Sequence, residues 1–116
     1  MTVKIAILKS GENVISDIKE GYNGDELIAY ILDNPCTIVS NGKYRITDDL
    51  GESKEQMSIS LHRWPNFSVD SSVAIPVDYF VAAVDPIPGL KKMYENQFNN
   101  DENSSVDEQS DVTLSD

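Results

Sequence analysis

Apolar residues recur at every second position along most of this chain, and glycine or proline interrupts the pattern every roughly 8–15 residues. A period of two follows the alternation of side chains across a β-strand and cannot build one face of a helix, so the pattern commits the chain to short strands joined by turns. Residues 2–8 put Val3, Ile5 and Ile7 on one face. Lys9-Ser10-Gly11-Glu12 has turn chemistry, with Gly11 supplying the left-handed position, and residues 13–20 read as the return strand of a hairpin. Asn23-Gly24 is the next tight-turn signal, leading into a third strand over residues 27–32. Asp33-Asn34-Pro35 interrupts that strand, because Pro35 has no N–H for a ladder and requires an edge or a bend. Extended pattern resumes over residues 36–39, and Asn41-Gly42 offers a further turn into residues 43–46.

The polar stretch of residues 47–56 reads as a surface loop; Asp48, Asp49, Glu52 and Glu55 lack the alternating ligand spacing of a calcium loop. Residues 57–64 alternate without fault: Met57, Ile59 and Leu61 share one face, and Ser58, Ser60, His62 and Trp64 the other. A tryptophan beside histidine and serines marks that second face as an outer, binding-type surface. Residues 72–76 then lead through a corner at Pro76 into a final long strand over residues 77–86. Four or five such strands in series specify a small antiparallel barrel rather than a βαβ fold. After Pro88 the period changes: Leu90, Met93, Tyr94 and Phe98 fall at i, i+3, i+4 and i+8, the stripe of an amphipathic helix expected to dock on the barrel and close its open end. The domain reading is therefore a barrel with a C-terminal helix over residues 1–98 and an acidic disordered tail over residues 99–116, where isolated apolar residues do not offset the entropy of ordering.

Charge sharpens that division. The whole chain carries −11, yet residues 1–92 hold nine basic against thirteen acidic residues, a balance of −4, and residues 93–116 hold seven acidic residues and no basic one, a balance of −7. A broad basic face for nucleic acid is excluded on this composition, although a groove with locally concentrated Lys and Arg is not. No apolar run is long enough for a transmembrane helix, and the start of the chain lacks a basic segment followed by an apolar core, so the expectation is a cytoplasmic protein with no membrane partner. Cys36 is the only cysteine and reads as a small buried side chain. His62 is the only histidine, each glycine stands singly at a turn, and the carboxylate pairs sit in a solvated loop. No catalytic residue, metal ligand or cofactor site is therefore assigned, and the chain reads as a binding protein rather than an enzyme. What remains is a set of aromatic and basic residues near strand ends, among them Lys43, Tyr44, Arg45, His62, Arg63, Trp64 and Tyr79. Such a mix suits a short single strand of nucleic acid or a protein interface equally well.

The order of elements resembles the Sm-like (LSm) barrel, a strongly bent five-stranded antiparallel sheet of the SH3-like kind, and within it the small Sm-like proteins of marine cyanophages. The resemblance runs through residues 7–17, 29–35, 60–65 and 75–78, and through Leu90-Lys91-Lys92-Met93-Tyr94, covering roughly residues 1–98. It implies a homo-oligomeric ring closed by pairing of the fourth and fifth strands, with RNA as a ligand, in the cytoplasm of an infected host cell. On that basis Asn34, Lys43, Arg45 and Tyr79 are the candidate RNA-binding residues. The alternative is an interaction or assembly module for a phage or host protein, with Trp64 and Phe67 as its anchors. The family's two RNA-binding loops have Asp33-Asn34-Pro35 and Pro76-Val77-Asp78 as nearest counterparts; the family's Arg-Gly pair is absent, and the helical stripe follows the barrel instead of preceding it.

Overall fold

Strands β1 (Val3–Leu8) and β2 (Asn13–Asn23) form the expected hairpin, turning at Gly11, whose φ of 91° is open to glycine without steric cost. The computed structural model describes residues 1–99 and 108–113. A second turn with Gly24 at φ 64° leads from β2 into β3 (Glu26–Thr47). The remaining elements are β4 (Ser53–Arg63), β5 (Ser72–Pro76), a 3-10 turn (Val77–Tyr79), β6 (Phe80–Val84), helix α1 (Pro88–Asn99) and β7 (Glu108–Thr113). The fold is mainly β and antiparallel with one helix near the C-terminal end, in the small-barrel class that the alternation specifies.

The chain divides into two units. The first joins Met1–Thr37 to Arg63–Pro86, and the second takes Ile38–His62 and the chain from Ile87 onward. In the first unit the strand order is β6-β1-β2-β3, with β5 also pairing β3. Its core is Ala6, Leu8, Val14, Ile18, Leu32 and Ile75, and Tyr30, Trp64, Val73 and Phe80 pack against it. On β1 the best-buried face is thus that of Ala6 and Leu8, whereas Ile5 and Ile7 are only half-buried. β1 lies between β2 and β6 and buries side chains on both faces, Val3 on one and Ala6 and Leu8 on the other. β2 behaves likewise: Val14, Ile15 and Ser16 are all fully buried, and Ile15 pairs in register with Cys36, itself fully buried as expected.

Pro35 produces a bend, and β3 does not end there. Ile15 pairs with Cys36 and Asp17 with Asp33, so Ser16 alone faces Asn34 and Pro35. Two residues against one is a β-bulge, a position where proline's missing N–H leaves no ladder bond unmade. Asn34 takes φ 50° to make it. Asn41-Gly42 is not a turn either: β3 runs through it with Gly42 at φ 120°, so residues 43–46 continue one strand of 22 residues.

In the second unit the order is β3-β4-β7, together with α1. The loop anticipated over residues 47–56 is shorter, because strand pairing starts again at Ser53. Asp48 holds the turn, its carboxylate accepting from the N–H groups of Leu50 and Glu52, both at 2.9 Å. Ile59 and Leu61 are buried on the predicted face of β4, and on the other face Ser60 is buried too, accepting from Asn41 Nδ2 at 2.9 Å. In α1 the predicted stripe is the buried one: Leu90, Met93 and Tyr94 are buried, and the Tyr94 and Phe98 rings lie 4.8 Å apart. The final long strand over residues 77–86 is corrected to a 3-10 turn followed by β6, with the corner at Pro76 as expected. Of the segment read as a disordered tail, Glu108–Thr113 forms β7, and residues 100–107 and 114–116 lie outside the described residues.

Candidate functional site

Asn34 sits at the bulge, and its surroundings are built by short polar contacts. Ser16 Oγ donates to the Asp33 carbonyl at 2.8 Å, and the Asn34 N–H donates to the Ser71 carbonyl at 2.7 Å. The Asp33 carboxylate accepts from Lys19 Nζ and from Ser72 Oγ, and the Lys19 ammonium also lies 3.6 Å from Asp17. Asp17 in turn accepts from the Thr2 N–H at 2.9 Å. These contacts tie β1, β2, β3 and β5 together at the corner. The hydrogen bonds from Lys19 and then Ser72 hold the Asp33 carboxyl below the usual carboxylate range. The bond to Asp33, with the charges of Asp17 and Asp33, raises the Lys19 ammonium above its ordinary value. Among the described residues, two carboxylates, Asp17 and Asp33, meet one ammonium, Lys19, at the corner beside Asn34.

A shallow groove of about 550 Å³ opens beside this network, lined by Thr2, Lys4, Lys19, Glu20, Tyr22 and Tyr30 among others. The sequence reading missed it, because its residues come from four strands, β1, β2, β3 and β6, and look like ordinary solvent-facing positions. Both of its ammonium groups are engaged: Lys4 Nζ lies 2.6 Å from Asp85, and Lys19 serves Asp33 and Asp17. The Tyr22 hydroxyl donates to Glu20 at 2.9 Å, which raises its pKa, and the Tyr30 ring stacks on Phe80 at 4.2 Å. The groove is therefore a neutralised, aromatic-lined depression rather than a phosphate cradle.

Of the other candidate RNA-binding residues, Tyr79 closes the 3-10 turn of the first unit, 40 % exposed, with its carbonyl accepting from the Lys9 N–H at 3.0 Å. Lys43 and Arg45 belong to the second unit, both exposed, and their two-residue spacing in β3 sets them on one face of that strand. Those two are brought together.

The two protein-binding candidates differ sharply. Trp64 is partly buried against the first unit's core, and its Nε1 donates to Glu12 at 3.0 Å while its main-chain N–H donates to the Pro35 carbonyl at 3.0 Å. It is a packing residue, not part of the outer face of β4 on which the alternation put it. β4 ends at Arg63, so strand geometry no longer dictates where Trp64 points. Phe67 is the opposite case, with its side chain fully exposed and Val69 93 % exposed two residues on. Phe67 also has φ 67°, a conformation a bulky residue seldom adopts and which costs on the order of 1–3 kcal/mol. The outer edge of β6 was equally invisible in the sequence: Val81 is 60 % and Val84 41 % exposed, which residue type alone does not announce.

Among the described residues no group of three or more His, Cys, Asp or Glu is placed to hold a metal ion, and no helix is long and apolar enough to cross a membrane. No family model matches the chain, and no curated protein matches it.

The Asp33 network has a definite pH signature. A lowered carboxyl pKa gives stability that is present above the unfolded value of about 3.9 and lost as pH falls through the folded value. The raised Lys19 pKa gives stability present below about 10.4 and lost as pH rises through the folded value. Urea midpoints measured from pH 7 to pH 2 are expected to fall less steeply below about pH 4 for Asp33→Asn than for the natural chain. Parallel acid limbs would show that Asp33 contributes nothing to acid sensitivity.

Proposed function

We propose that this chain is a non-enzymatic Sm-like phage protein that assembles with copies of itself into a ring, the outer edge of β6 in one copy pairing with β4 of the next. The observation that carries the reading is the state of β6. It pairs with β1 on one side, and no described strand covers the other. Its five residues, Phe-Val-Ala-Ala-Val, include no charge, no proline and no glycine, although Val81 and Val84 are exposed. Proteins that remain single copies ordinarily blunt such an edge with lysine, proline or a covering segment, because its unpaired N–H and C=O groups template another strand. A head-to-tail contact closes into a cyclic oligomer when its rotation permits. A small barrel gains from it, since a chain of this size buries only about 60–70 % of its unfolded surface alone.

A ring presents many copies of any weak site, and RNA is the ligand we assign to it. The support is Lys43 and Arg45 on one exposed face of β3, with Tyr44, 40 % exposed, on the opposite face. The alternative, a phage or host protein partner, is favoured by one observation, the fully exposed Phe67.

Light scattering on the full chain is expected to give a mass several times the 12.9 kDa of one copy. Val81→Lys with Val84→Lys, which puts like charges along the pairing edge, is expected to return it to one copy. A natural chain that stays at 12.9 kDa at high concentration contradicts the ring. For the ligand, fluorescence anisotropy with a short uridine-rich strand is expected to show binding that weakens steeply with salt and drops at least about tenfold in Lys43→Glu with Arg45→Glu. No binding at low salt removes RNA and leaves the Phe67 surface.

A further inference from the structure

Strand β7 lies where a neighbouring copy would have to dock. It pairs antiparallel with β4 in an unbroken register from Gln56↔Thr113 to Leu61↔Glu108. The other side of β4 is taken by β3, so β7 covers the one edge that β4 would otherwise present. Its sequence, Glu-Gln-Ser-Asp-Val-Thr, has a single apolar aliphatic residue and two acids. Such a strand brings little apolar area to its pairing with β4, which it meets through an unbroken main-chain ladder. Its advantage is that it belongs to the same chain: residues 100–107 connect it to α1, and a short connection gives the tethered strand an effective concentration in the millimolar range. The β6 strand of a second copy has the opposite properties. It is uncharged and apolar, it matches the covered stretch of β4 in length to within one residue, and it reaches β4 only at its own bulk concentration.

We propose that β7 is a built-in competitor for the β4 edge, displaced by β6 of a second copy, so that the acidic tail gates assembly. This rests on the self-assembly reading above and adds a regulatory role for the tail. It gives the separation of charge a purpose as well. Two of the seven acids in residues 93–116, Glu108 and Asp111, lie in β7 itself, and they limit the apolar surface it can offer while leaving the ladder bonds intact. At low concentration the tail wins by tethering, and at high concentration β6 wins by burial. A protein of this kind shows a sharp concentration threshold for assembly, and anything that draws the acidic tail away lowers that threshold.

The test uses the full chain. Gln109→Pro with Ser110→Pro alters consecutive positions facing Ser60 and Ile59, and since alternate residues of an antiparallel strand direct their N–H groups to a given neighbour, one of the two must lose a bond to β4. By sedimentation velocity this variant is expected to reach half-assembly at a concentration at least about tenfold below that of the natural chain. A second variant works in the opposite direction: Met57→Cys with Val112→Cys joins register partners, so oxidation is expected to fix β7 in place and hold the chain at a single copy, with assembly restored on reduction. If the natural chain, the proline variant and the oxidised variant assemble alike, the gate is overturned and the ring stands. If none assembles at any concentration, the self-assembly reading falls and the gate with it.

Discussion

The hydrogen bond from Ser16 Oγ to the Asp33 carbonyl, 2.8 Å long, closes the ladder at the point where β3 carries one residue more than β2. Without a partner there, the carbonyl freed by the bulge would sit beside a fully buried Ser16, and a buried polar group left unpaired costs roughly 1–3 kcal/mol. With it, β3 absorbs Pro35, turns at Asn34 and continues to Thr47 as one strand. The first half of β3 receives β2 and β5, and the second half receives β4. The ion pair and hydroxyl that fix the Asp33 side chain brace the same corner from the solvent side.

An antiparallel sheet that is built this way has to end somewhere, and its ends are where chemistry with other molecules begins. The ammonium groups lining the groove beside Tyr22 and Tyr30 are engaged by Asp85, Asp17 and Asp33. β6 ends the described sheet order, and the main-chain groups on its outer side are open to a further strand. In the proposed assembly, the uncharged strand β6 and the β7-covered edge of β4 are the two surfaces that would meet between copies.

Much of this was legible in the residues, and the failures share a cause. Strand identity, the Gly11 and Asn23-Gly24 turns, the corner at Pro76, the buried Cys36 and the Leu90, Met93, Tyr94 stripe follow from local periodicity and turn chemistry, which a single sequence displays. Asn41-Gly42 did not make a turn because tertiary pairing along β3 overrode a local preference. Trp64 read as an outer residue because alternation was carried one position past the end of β4. The Asp17, Lys19, Asp33 and Ser72 network joins positions up to 55 residues apart, and β7 pairs with a strand some 50 residues earlier; neither leaves a mark in local pattern. The acidic composition of the tail argues for disorder, whereas Glu108–Thr113 forms a strand, because a strand that adds to an existing edge needs ladder bonds rather than a core. Asn34, Lys43, Arg45 and Tyr79 were chosen by residue type and family position, and of these the structure groups only Lys43 with Arg45.

The central claim is that β6 meets another copy of this chain through its main-chain edge. Amide hydrogen exchange across Phe80–Val84, followed from dilute to concentrated solution, reads that edge directly. The account predicts that protection of these amides rises with concentration, together with release of Glu108–Thr113, while the Asp48–Glu52 turn exchanges at an unchanged rate. Exchange in β6 that is the same at every concentration would contradict it.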